Sequence, residues 1–388
     1  MKKTLLITTV SGFVPQFEMN NVRLLQTMGY EVHYAANYNT PSYGDDNHRL
    51  DHTGIIRHQI DFVRSPFKPQ NIHVYKELCS LMQSEQFDLI HCHTPMGGVM
   101  ARLAAHATHT GPVIYTAHGF HFFKGASLIN WLCYYPVEKF LSYYTDQQIC
   151  INQEDYDLAR QKFHARYTDY IPGIGIDLTR IVHMNADEVA KKKEQLHLPD
   201  NQWIFLSSGE FIKRKNHETA LRAFARLRQQ RSDIHYAICG HGKLDPYLRN
   251  LVKELKIENN VSFLGYRTDM LEVLPCADVF VFPSFQEGLP IALLEAMATG
   301  LPIVCSDIRG SRDLMEKSGI STPQYSYCKG GIMVSSADNV NAYCDALNQL
   351  LSDPSKFDQM RAANISRAND FSVSHVIERM KKIYQRLS

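Results

Sequence analysis

At 388 residues the chain is longer than one ordinary hydrophobic core supports, so two domains are expected. A hydrophobic share of 44% and a charged share of 21% describe a globular chain and exclude a disordered or fibrous one. The formal net charge of +1 argues against a protein whose main work is wrapping nucleic acid.

The chain opens on "MKKTLLITTVSGF", two lysines followed by an apolar run. The run is short, has no A-x-A-like cleavage site and passes directly into an α/β pattern, so it reads as a first strand and not a secretory leader. "EVHYAAN", "DLIHCH", "PVIYTA" and "DQQICI" continue as strands, with amphipathic helices such as "EMNNVRLLQTMG" between them. Strands alternating with helices predict parallel sheets. In "HCH" (91–93) the two histidines share one strand face, and with no further ligand recognisable they read as core or cleft lining ahead of metal ligands.

"TAHGFHFFKG" (116–125) follows a strand, which places His118 at the carboxyl edge of the first sheet, where it can bind or polarise substrate hydroxyls. His121 reads as structural. "LINWLCYYPVEKFLSYYT" (128–145) is aromatic-rich, with Glu138 and Lys139 as its only charges. We read it as a helix buried in the first domain; the competing reading is a membrane-facing or lipid-acceptor surface. The D-x-D within "EDYD" (154–157) falls in the first turn of a helix after Asn152, where acids favour the dipole, and is not read as a metal site.

Proline and glycine cluster in "YIPGIGIDLTRI" (170–181), the expected linker. The domains are placed at 1–172 and 173–371, with a last helix at about 372–388 packing back on the first. "KKK" (191–193) reads as a solvated helix face. The pattern then restarts with "WIFLSSG", "IHYAICG", "VSFLG", "DVFVFPS", "PIVCS" and "GIMVS". Two such halves predict two doubly wound domains with a cleft between them and ligands beyond the strands' carboxyl ends.

Four strand-to-helix turns in the second half carry the chemistry. In "SSGEFIKRKNHETAL" a strand ends at Gly209, Lys213, Arg214 and Lys215 form a basic loop, and Asn216 is placed at a helix N-cap. Cations there can neutralise a diphosphate leaving group. "CGHGKLDPYL" brings Gly240 to the same edge, and "LGYRTDM" adds a fourth turn. In "FQEGLPIALLEAMATGLP" (285–302) Pro290 is placed at the first helical position, so the amides of Gly288 and Leu289 offer an anion site at a helix N-terminus. Glu287 would repel that anion, and makes sense as an acceptor from neutral hydroxyls beside it. Glu295, further along the helix, can accept from both hydroxyls of a ribose. The bland alternative is a dipole-favouring Glu287 and a solvent-facing Glu295.

Together "FQEGLPIALLEAMATGLPIVCSDIRG", "GEFIKRKNH" and "YTAHGFHFFKG" resemble glycosyltransferase family 4, in its capsule and exopolysaccharide branch, over essentially the whole chain. The resemblance implies an α/β GT-B fold, two Rossmann-like doubly wound domains facing each other across a cleft. It implies a retaining, metal-independent hexosyltransferase with no cofactor beyond its nucleotide-sugar co-substrate, a UDP-sugar. Glu287 then contacts the donor sugar, Glu295 the ribose, Gly288, Leu289 and Lys215 the diphosphate, and the backbone at Arg267 the base. His118 lies near the reacting sugar and Gly12 beside the diphosphate. Glu210 stands where many members carry an arginine, a position Arg214 could replace, and Gly12 stands alone where many have Gly-Gly. The implied acceptor is a polyprenyl-diphosphate-linked saccharide at the cytoplasmic membrane, with no nucleic-acid partner. A UDP-sugar epimerase of the same architecture and a non-catalytic nucleotide-sugar-binding protein are the alternatives. The nine cysteines form no CxxC pair and suit free thiols in a reducing cytoplasm.

Overall fold

A computed structural model describes residues 1–42 and 47–387. The chain divides into two compact units, one made of 1–175 with 374–388 and the other of 176–373.

In the first unit seven strands run parallel: β1 (Lys2–Val10), β2 (Tyr30–Asn37), β3 (Ile56–Gln59), β4 (Leu89–His93), β5 (Val113–Ala117), β6 (Gln147–Cys150) and β7 (Tyr167–Tyr170). Their order across the sheet is β3-β2-β1-β4-β5-β6-β7. The central strands are apolar on both faces because helices cover both. Along β1 the two-residue period divides the cores: Leu5 and Ile7 join one cluster, while Leu6 joins the other. The helix Val373–Leu387 completes the second cluster with Val376, Met380, Ile383 and Tyr384, spaced along one helical face. Residue 388, the expected end of that helix, lies outside the described residues.

The second unit holds β8 (Trp203–Ser208), β9 (Ile234–Cys239), β10 (Val261–Gly265), β11 (Val279–Phe282), β12 (Ile303–Ser306), β13 (Lys317–Ser321), β14 (Tyr325–Cys328) and β15 (Gly331–Val334). Their order is β10-β9-β8-β11-β12-β15-β14-β13. β14 pairs antiparallel with β15, and β13 with β14, a hairpin that the sequence reading, with its parallel strands, does not contain. β3 and β7 were missed too. β3 lies at an edge and is largely exposed, and β7 lies at the other edge, so neither needs the apolar run that marks a central strand.

Two surface readings are corrected. Within "KKK" Lys192 is buried, its ammonium 2.7 Å from Asp269 and 2.5 Å from Glu272, because helix Ala186–Gln195 turns that residue towards the short helix at Met270–Val273. "LINWLCYYPVEKFL" does form a helix, Leu128–Leu141, capped by Ser127, but only one side of it is buried. Trp131 and Tyr135 pack on the core, and Glu138 pairs with the fully buried Arg102 at 2.9 Å; the opposite side is apolar and exposed.

Candidate functional site

Both sheets reverse their winding once, between β1 and β4 and between β8 and β11. The loops leaving those strands diverge and leave a crevice at the carboxyl ends. In the second unit the two loops are 209–216 and 283–290, and they are tied together: Phe285 N–H donates to the Arg214 carbonyl at 2.9 Å.

Glu287 is buried where these loops meet. One carboxylate oxygen lies 2.7 Å from Lys215 Nζ and the other 2.9 Å from Arg214 Nη1, which also donates to the Gln286 carbonyl at 3.0 Å. Its own carbonyl accepts from Nε of the buried Arg309 at 3.2 Å. Behind the turn, a Cβ on Gly310 would come within 2.4 Å of the Gly288 carbonyl, so the two backbones are in contact. Leu289 is buried and Gly288 half-buried.

The helix begins one residue later than expected, at Ile291, with Pro290 as its N-cap and not its first helical residue. Pro290 has an extended ψ of 106°, which a helical position does not allow. The amides of Gly288 and Leu289 therefore precede the helix start. Glu295 lies in the second turn of Ile291–Ala298; burial raises its carboxyl to about 6, opposed by Arg180.

The glycine turns stack at this edge. Gly209 N–H donates to the Cys239 carbonyl and Gly240 N–H to the Gly265 carbonyl, at 3.0 and 2.8 Å. A side chain on Gly240 would strike the Gly209 carbonyl, and its φ of +147° is one that glycine tolerates best. The Lys215 methylenes cross over Gly209 on their way to Glu287. A cavity of about 160 Å³ opens beside these turns, lined by Gly209, Glu210, Gly240, Tyr266 and Arg267 among others. The Arg267 guanidinium is held in a fork by Asp269, which leaves its backbone as the group at the turn. Asn216 occupies the N-cap position, but its side-chain amide donates to the Pro283 and Ala337 carbonyls at 2.9 and 2.7 Å instead of capping. Its Oδ1 accepts from the Thr219 hydroxyl at 2.8 Å and not from a helix amide, so the side chain braces the Glu287 loop.

In the first unit His118 follows β5 and meets two groups the sequence reading did not assign to a site. His93 Nδ1 is 3.1 Å from His118 Nε2; Glu18 Oε1 lies 3.6 Å from the former and 4.0 Å from the latter. The three ligand-type atoms lie within 4.8 Å of one another, a grouping the sequence reading did not contain; His91, buried like His93, is not part of it and meets Tyr384 and Thr116 instead. Asn21 donates to the other Glu18 oxygen at 2.6 Å, and a cavity of about 20 Å³, the size of one water, is lined by Glu18, Asn21, Thr116 and His118 among others. Burial raises Glu18 to about 7, lowers His118 to about 4 and holds His93 well below its ordinary value. The two rings thus stay neutral and share one hydrogen across 3.1 Å. Gly12 sits under the 41–42 segment: its amide donates to the Pro41 carbonyl at 2.8 Å, and a Cβ would overlap Ser42. Of the acids in "EDYD", Asp155 accepts from Phe120 N–H and Glu154 from Lys124 N–H, fixing the loop that follows His118.

Glu18 was legible only as an acid six residues after Gly12; nothing local announced that β4 and β5 would bring two imidazoles to it. Its raised value gives a pH test. The folded value lies above the unfolded one, so its contribution to stability is present below pH 4.5 and lost as pH rises through about 7. Glu18→Gln is therefore expected to gain on the wild type by on the order of 3 kcal/mol between pH 4.5 and 8, read as the difference between their denaturation curves. A pH-independent difference would mean that Glu18 titrates normally.

Residues 4–152 match the family described as "Glycosyl transferase 4-like", and residues 188–367 the one described as "Glycosyl transferases group 1". EpsD of Bacillus subtilis (strain 168) is 34% identical over 388 residues, covering 99% of this chain and 96% of that protein. A protein of Escherichia coli named UDP-Gal:alpha-D-GlcNAc-diphosphoundecaprenol alpha-1,3-galactosyltransferase is 26% identical and covers 84% of each chain. Among solved structures, Anabaena Alr3699/HepE in complex with UDP superposes with a TM-score of 0.77 at 17% identity, covering all of both chains.

Proposed function

Because this chain belongs to glycosyltransferase family 4, with its GT-B fold, we infer that it is a retaining enzyme using a UDP-sugar. It transfers a hexose or N-acetylhexosamine to a polyprenyl-diphosphate-linked saccharide in exopolysaccharide or capsule assembly. It works as a peripheral protein at the inner face of the cell membrane, and without a metal. Support for the acceptor class is the diphosphoundecaprenol substrate named for the Escherichia coli relative, and for the base the UDP in the Anabaena complex.

The observation that carries the reading is the clasp of Glu287 by Arg214 and Lys215 at the switch point, just ahead of a helix. Two cations neutralise one buried carboxylate. A diphosphate arriving at the Gly288–Leu289 turn offers those cations a stronger anionic partner and meets backbone donors near a helix N-terminus. Released from the clasp, Glu287 accepts from the sugar hydroxyls, while Glu295 takes the ribose. As the glycosidic C–O bond breaks, Lys215 and Arg214 hold the charge growing on the departing phosphate. The acceptor hydroxyl attacks the same face and passes its proton to that phosphate oxygen, and His118, kept neutral by burial, orients hydroxyls of the reacting sugar.

The test is a thermal-shift panel of UDP-, GDP- and ADP-sugars, since a ligand that binds only the folded state raises its stability. UDP-sugars are expected to give the largest rise, unchanged by EDTA. The rise should shrink as pH falls through about 6, where Glu295 takes up a proton and loses an acceptor. Equal or absent shifts across the panel would refute the donor assignment.

A further inference from the structure

The helix Leu128–Leu141 is apolar on the side that faces the solvent as well as on the side that faces the core. Leu128, Ile129, Leu132, Val137, Phe140 and the following Tyr143 are exposed; Leu128 is 80%, Leu132 75% and Phe140 53% exposed. Ile129, Val137 and Phe140 fall opposite the anchors Trp131, Tyr135 and Glu138, Leu132 and Tyr143 flank that side, and Leu128 is exposed at the helix's first residue. So many large apolar residues exposed on one short helix go beyond the single scattered ones that are normal on a monomer's surface. Nothing in the local chemistry excuses the exposure, because Ser127 caps the helix and the Arg102–Glu138 pair fixes its rotation.

The rim of the stripe favours one occupant. Within 121–145 the charged residues are Lys124, Glu138 and Lys139, and Glu138 is buried against Arg102. The charge this segment itself leaves on the outer side is therefore positive, with Glu154 the acid that meets it, at the Lys124 N–H. Tyr143 stacks on His164 with ring centroids 4.1 Å apart, and Tyr134 on His121 at 4.7 Å, so amphipathic rings border the aliphatic strip. An aliphatic centre, aromatic edges and flanking lysines match the depth profile of a bilayer surface with anionic headgroups. Among the described residues no helix is long and apolar enough to cross a membrane, so such a helix would lie in the interface plane.

We propose that the outer face of Leu128–Tyr143 docks this protein on an anionic bilayer, the phase that carries a lipid-linked acceptor. The choice of a bilayer over a protein partner rests on the acceptor reading above, whereas the exposed stripe stands on its own.

The full-length protein should sediment with vesicles of phosphatidylcholine and phosphatidylglycerol, and less with phosphatidylcholine alone. Leu132→Glu with Phe140→Glu should lower that partition at least about tenfold. Vesicles should also slow alkylation of the exposed Cys133 by a water-soluble maleimide in the unsubstituted protein. Both substituted residues already face solvent, and an unchanged nucleotide thermal shift in the double variant shows that it folds. No sedimentation of the wild type, or equal sedimentation of the variant, overturns the proposal. So does a concentration-dependent dimer that the two substitutions abolish in the absence of vesicle binding, which would assign the stripe to a second copy of the chain. Vesicle binding with no nucleotide-sugar shift would support the surface and refute the donor reading, so the two failures are distinguishable.

Discussion

Glu287→Gln is expected to lower turnover about 100-fold while leaving UDP binding intact or tighter. The carboxylate now faces two cations at 2.7 and 2.9 Å, and an amide of the same size offers a single neutral oxygen to the same surroundings. Hydrogen bonds to a charged acceptor exceed neutral ones by roughly a factor of two, and here the gain is realised as the sugar shifts towards the transition state. The diphosphate no longer competes with Glu287 for Lys215 and Arg214, so its affinity should not fall. Steady-state kinetics with the donor chosen by the panel, set beside calorimetric titration of UDP, separate the two effects. Near-normal turnover would remove Glu287 from the reaction, and a parallel loss of UDP binding would make its role structural.

Arg102→Met should destabilise the first unit by about 3–5 kcal/mol, the usual cost of stranding one member of a buried ion pair. Arg102 is fully buried; its Nε donates to the Gly98 carbonyl at 2.9 Å and its guanidinium lies 3.9 Å from the Tyr115 ring centroid. Removing it leaves the Glu138 carboxylate with the Tyr115 hydroxyl at 3.1 Å and no cation. At roughly 2–4 °C per kcal/mol the melting transition of that unit should drop by about 6–20 °C. Arg102→Met with Glu138→Leu should recover most of the loss, because the penalty lies in the unpaired charge and not in the missing pair. A single variant melting within a degree or two of the wild type would show that water reaches Glu138. The pair bears on function because Glu138 seats the helix whose outer face is assigned to the bilayer.

The ends of the two sheets could be read from the sequence because each signal there is local. Apolar runs bounded by glycine mark β8, β9 and β10, an apolar run ending at Pro283 marks β11, and the Glu-Gly-Leu-Pro turn before an alanine-rich helix marks the phosphate-type site. The family resemblance, carried on those same turns, supplied the fold and the roles of Glu287, Glu295 and Lys215 that the residues alone left as alternatives. What depended on packing at a distance was not legible. Glu18, His93 and His118 come from three separate stretches, and only the order β1-β4-β5 places them within reach of one another. Lys192 looked solvated because its partners Asp269 and Glu272 lie about eighty residues away.

The sequence by itself determined that 128–145 would be helical, aromatic and nearly uncharged, a composition read first as a buried helix, with a membrane-facing one as the competing reading. Tertiary structure decided which side of that helix meets the core and which meets solvent. The buried Arg102 pulls Glu138 inward and thereby fixes which stripe of an all-apolar helix faces out. Helical periodicity states which residues share a face, but the rotation of that face is set by the side chain that must find its counter-charge.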